Sequence, residues 1–68
     1  EEPNETEQLL LVSLPNEPLH IDQIMTLMGW TAPRTLETLL SLELKGRVRQ
    51  LPGKFFVAAA MGPERIHG

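Results

Sequence analysis

The sequence predicts a mainly α domain closed by a small β-hairpin, and three observations carry that prediction. Leucine-rich stretches with helical spacing recur within the first 45 residues, a Gly29-Trp30 break separates the later two, and a Pro52-Gly53 turn separates two short β-prone runs behind them. First helix, short second helix, tight turn, long third helix and hairpin is the element order of a three-helix winged helix-turn-helix.

The first helix is expected over Thr6 to Leu14, with leucine or valine at 9, 10, 11, 12 and 14, Thr6 as its N-cap and Pro15 where a helix stops. That density of apolar residues predicts a largely buried helix. Asn16-Glu17-Pro18 reads as a turn, and Leu19-His20-Ile21 as an extended bridge that is a candidate third strand. Asp22 stands where an N-cap belongs, and Ile24, Met25, Leu27 and Met28 follow with amphipathic spacing until Gly29. Thr31 offers the next N-cap and Pro33 falls in a first turn, where its missing N–H is harmless.

The third helix is expected from about Ala32 to Lys45, with Leu36, Leu39, Leu40 and Leu44 on one inward stripe, Gly46 as a left-handed stop and Lys45 beside the carbonyl end. Its other face then displays Arg34, Thr35, Thr38 and Ser41. Val48 to Leu51 and Phe55 to Val57 form the hairpin, with Phe56 inward and Phe55 outward. Met25, Met28 and Met61 read as gap-fillers, and Ala58 to Met61 as a cap on the core ahead of the Gly62-Pro63 break. The expected boundaries are a linker remnant at 1–5, the winged-helix domain at 6–58 and a flexible tail at 59–68. The acidic, apolar-poor start at Glu1 suggests a piece excised from a longer chain.

At 68 residues the chain holds one domain, near the size at which a lone core becomes marginal. It has no cysteine to form a disulfide or thiolate metal site, which fits a cytoplasmic protein. No apolar run reaches the roughly 18 residues of a membrane span. Enzymatic chemistry finds no foothold: tyrosine and cysteine are absent, there is no glycine-rich phosphate loop, and His20 and His67 lie at opposite ends of the chain. No cofactor or metal is expected, and His20 near Asp22 reads as a turn histidine.

The net charge of −3 disfavours a polyanionic partner, but its distribution is uneven. Residues 1–30 carry Glu1, Glu2, Glu5, Glu7, Glu17 and Asp22 with no lysine or arginine, whereas Arg34, Lys45, Arg47, Arg49 and Lys54 fall within 31–58 against Glu37 and Glu43. The basic half is either an ordinary solvated surface or the face that meets nucleic acid. On the DNA reading, Thr31 and the free N–H groups at the start of the third helix meet phosphate, Arg34, Thr35 and Thr38 approach base edges or backbone, and Arg49 and Lys54 reach phosphate from the wing. About three or four phosphate contacts imply weak, non-specific duplex binding, with a log–log salt slope near −3 and Kd of about 10⁻⁴ to 10⁻⁶ M. Glu37 opposes that reading. The other reading is a protein-docking module that works through Trp30 and an apolar rim, although a tryptophan at this turn is more often a core plug beside Leu36.

Pro18 with Ile21-Asp22-Gln23-Ile24, Gly29, Leu39-Leu40 running into Leu42-Glu43-Leu44-Lys45-Gly46, Val48, and Leu51-Pro52-Gly53 with Phe56 together resemble the C-terminal winged-helix domain of bacterial DNA-processing proteins of the DprA/Smf family. The resemblance covers Leu9 to Phe56, and Trp30 and Gln23 depart from the residues usual there. It implies a part of a protein of natural transformation, or competence, that receives incoming single-stranded DNA and helps load RecA for recombination. In that family the main DNA-binding work belongs to a Rossmann-like domain, so a parent domain of that kind and RecA are the partners the resemblance implies, and no residue role carries over to these positions.

Overall fold

The structure is a computed structural model that describes residues 2–59. Its elements in chain order are α1 (Glu5–Ser13), β1 (Leu19–His20), α2 (Ile21–Met28), α3 (Ala32–Leu44), β2 (Val48–Leu51) and β3 (Phe55–Ala58). The strands form one antiparallel sheet in the order β1-β3-β2. Of the expected extended bridge, Leu19 and His20 form the third strand, pairing with Phe56 and Phe55, while Ile21 already begins α2.

Two helix starts lie earlier than the sequence reading put them. The N-cap of α1 is Asn4 rather than Thr6: its side chain accepts the Glu7 N–H at 2.8 Å while the Glu7 carboxylate accepts the Asn4 N–H at 3.0 Å. This reciprocal capping box needs a Glu or Gln three residues after the cap, and Leu9 cannot supply that for Thr6. Likewise α2 is capped by His20, not Asp22. His20 Nδ1 accepts the Asp22 N–H at 3.0 Å, and Gln23 Oε1 accepts the His20 N–H at 2.9 Å. The buried Ile21 donates its N–H to the Lys54 carbonyl at 3.0 Å, so the strand passes into the helix without a spacer.

Thr31 caps α3 as expected, accepting the Arg34 N–H at 3.3 Å. At its other end Gly46 sits at φ 76°, and the Gly46 and Arg47 N–H groups reach the Glu43 and Leu42 carbonyls at 3.0 and 2.9 Å. Those two bonds are the Schellman pair that satisfies the last carbonyls of a helix.

The core is Leu10 and Leu14 from α1 and its cap, Ile21 and Ile24 from α2, Leu39 and Leu42 from α3, Val48 from β2 and Phe56 from β3. Met25, Met28 and Trp30 pack on its rim. Phe56 points in and Phe55 out, as the alternation of a strand requires. The first helix is not largely buried: Leu9 and Val12 are exposed, because only the Glu7-Leu10 side meets α3 and α2. Of the expected tail at 59–68 only Ala59 is described, its N–H donating to the Arg47 carbonyl at 2.9 Å; the remainder and the gap-filling role of Met61 lie outside the described residues.

Candidate functional site

In a helix-turn-helix the outward face of the longer second helix is the surface normally offered to a partner, with the wing beside it. Here that helix is α3, and the face it presents is not the one its leucines suggest. Thr35 and Thr38 are buried alongside Leu39 and Leu42, while Leu36, Leu40 and Leu44 are 42%, 51% and 89% exposed. The inward stripe therefore runs through 35, 38, 39 and 42. The expected stripe shares only Leu39 with it.

The face turned inward is the one that packs beside α1. Lys45 Nζ donates to Glu7 Oε1 at 2.7 Å, and the Ser41 hydroxyl donates to the other oxygen of the same carboxylate. This pins the start of α1 along the Thr38-Ser41-Lys45 side of α3, where small side chains allow a close approach. The two threonines satisfy their buried hydroxyls within their own helix, Thr35 donating to the Thr31 carbonyl and Thr38 to the Arg34 carbonyl, each at 2.8 Å. Lys45, expected to serve the helix end, is committed instead to Glu7. Its ammonium beside Glu7, then the Ser41 hydroxyl and the Asn4 N–H, hold that carboxyl down at about 2.

The sequence-predicted contact residues thus separate. Thr35 and Thr38 are removed from any surface by burial, which corrects their expected outward placement. Thr31, Arg34, Arg49 and Lys54 are exposed, on the start of α3, on β2 and on the wing turn. The Arg34 guanidinium lies 4.8 Å from the Trp30 ring centre, within cation–π distance. Trp30 packs half-buried on the core rim, as a plug with one face roofed by that arginine rather than as a free anchor.

Leu36 and Leu40 line a groove of about 300 Å³ between α2, α3 and the wing, floored by Met25 and Phe56, with Asp22, Gln50 and Lys54 at its margins. Leu44 continues the row toward the end of α3. Glu37 and Glu43 are exposed on the same helix. Sequence reasoning missed this row because it placed these leucines inside. The available signal was the second i, i+3, i+4, i+7 series at 35, 38, 39 and 42, which threonine hides from a hydrophobicity count. Among the described residues no three His, Asp or Glu side chains converge as metal ligands, and no helix is long and apolar enough to cross a membrane.

The family model of the DprA winged helix domain matches residues 1–54. No curated protein and no solved structure matches the chain.

Proposed function

Because the chain belongs to the DprA winged helix domain family, we propose that it is a non-catalytic accessory module, C-terminal in a DprA-like DNA-processing protein of natural transformation, and that it docks on protein through α3 rather than reading DNA with it. The observation that carries this reading is the solvent-facing row Leu36, Leu40 and Leu44, with Glu37 and Glu43 on the same exposed surface. Phosphate repels both glutamates, and three exposed leucines gain nothing from a sugar–phosphate backbone. Apolar contact with protein releases water from all three. The two partners of choice are the Rossmann-like domain of the parent protein and RecA.

A second reading has its own support. Arg34, Arg49 and Lys54 remain exposed, and a weak, non-specific duplex contact along the wing needs only those cations. One pair of experiments separates the two. Calorimetric titration of the separately produced Rossmann-like domain, and of RecA, into the wild-type module and into a Leu40→Ser/Leu44→Ser variant measures docking; fluorescence anisotropy on labelled duplex and single-stranded DNA, with and without Arg34→Ala/Arg49→Ala/Lys54→Ala, measures DNA contact. Protein binding lost in the leucine variant, with no DNA binding at about 100 μM in low salt, supports docking. DNA binding that the arginine–lysine variant abolishes, together with no protein binding, overturns it.

A further inference from the structure

The charges around the leucine row say what kind of surface covers it, given that the docking reading holds. On a helix each residue advances about 100°, so Leu36, Leu40 and Leu44 drift slowly across one face. On that wheel Glu43 falls at one edge of the row, next to Leu36, and Glu37 at the other, next to Leu44. Both acids are exposed. The two flanking positions nearest the row on α3 are therefore of one sign. Arg34 lies farther round, drawn over Trp30, and Lys45 is spent on Glu7. The groove that Leu36 and Leu40 line also carries one charge of each sign, Asp22 and Lys54.

We infer that the α3 row takes a short amphipathic helix whose apolar ridge is edged by lysine or arginine. Leu36 to Leu44 spans eight residues, or about 12 Å of helix, which matches two to three turns of a partner helix laid along it. Basic residues on both shoulders of that ridge meet Glu37 and Glu43 in the way flanking charges select partners in helix pairs. A second copy of this chain fits poorly. Whether two such rows pair parallel or antiparallel, a glutamate-bearing edge of one copy meets a glutamate-bearing edge of the other, so the pair gains no charge complementarity. A phosphate backbone laid along this row meets the same two acids and is repelled by them.

The test uses the whole chain, ¹⁵N-labelled, and three synthetic helical peptides that share one leucine ridge and differ only in flanking residues: lysine, glutamine or glutamate. The lysine-flanked peptide is expected to bind with Kd about tenfold below that of the glutamate-flanked one, to weaken with added salt, and to shift the amide signals of residues 36–44. In a Glu37→Lys/Glu43→Lys variant, whose well-dispersed spectrum verifies the fold, the order of the peptides reverses. Equal binding of all three peptides overturns the basic-partner inference and leaves docking standing. Failure of every peptide, while the Rossmann-like domain or RecA still binds through Leu40 and Leu44, overturns the helix partner alone; failure of all of them removes docking itself. Concentration-dependent dimerisation that shifts residues 36–44 in analytical ultracentrifugation and NMR replaces the helix by a second copy.

Discussion

Leu39 and Leu40 are neighbours in the chain, identical in chemistry and opposite in environment, so truncating each in turn tests which face of α3 is inside. Leu39 is fully buried, Leu40 is 51% exposed and Leu44 is 89% exposed. Leu39→Ala removes a packed side chain from an enclosed site and is expected to cost about 2–5 kcal/mol, transfer and cavity together. Leu40→Ala gives up roughly half of the ~2 kcal/mol that full burial of a leucine is worth, and leaves no sealed cavity because the groove is open, so about 1 kcal/mol is expected. Leu44→Ala should fall within about ±0.5 kcal/mol. A domain of this size has a total stability of roughly 3–9 kcal/mol, so the first variant loses a large share and the last almost none. Urea unfolding followed by circular dichroism reads the series as midpoints, with a slope of about 1 kcal/mol per molar urea. Equal midpoints for Leu39→Ala and Leu40→Ala would place both leucines on one buried stripe and refute the inward face described here.

Glu7 gives a pH signature of known sign. Its folded carboxyl is held at about 2 against an ordinary 4.5, so the stability it contributes is fully present above pH 4.5 and is lost as pH falls from there toward 2. Thermal melts of wild type and Glu7→Gln across that range should converge at the acid end, and Lys45→Met should flatten the wild-type slope; parallel curves would deny the Glu7–Lys45 anchor. Gly46→Ala is expected to cost about 1 kcal/mol although the added methyl meets no atom within 4 Å, because the penalty lies in the φ of 76° and not in crowding; a neutral result in urea unfolding would disprove the left-handed stop. Thr35→Ala/Thr38→Ala should lower the urea midpoint while leaving any DNA anisotropy signal unchanged, and a selective loss of DNA affinity would return those threonines to the surface.

The fold was legible from the chain because each element is punctuated as well as patterned. Pro15, Gly29, Pro33, Gly46 and Pro52-Gly53 mark the boundaries by backbone chemistry, and the two-residue β1 falls on the segment read as too short for more than an extended bridge. The helix starts were less legible for a local reason: the caps at Asn4 and His20 depend on reciprocal bonds from Glu7 and Gln23, and a scan for a single good cap residue stops instead at Thr6 and Asp22. The face of α3 was illegible for a global one. Leu36-Leu39-Leu40-Leu44 and Thr35-Thr38-Leu39-Leu42 both have helical spacing, and hydrophobicity favours the first. Only the second leaves Ser41 and Lys45 against the Glu7 carboxylate of a different helix, 34 and 38 residues away, a contact that no local pattern announces.

That selection links stability to function. A threonine at 35 or 38 loses less than a leucine does by being outside, and a leucine gains more by being inside, so a helix free to rotate would turn its leucines toward the core. The anchor opposes this: rotating α3 to bury Leu36, Leu40 and Leu44 would carry Ser41 and Lys45 away from Glu7 and strip its carboxylate of the partners that hold it. The exposed row thus lies beside the contact that fixes the helix, with Leu44 next to Glu7, Ser41 and Lys45. A partner that covers Leu36 and Leu40 recovers apolar burial that the domain's own packing forgoes, in a groove that contains none of Glu7, Ser41 and Lys45.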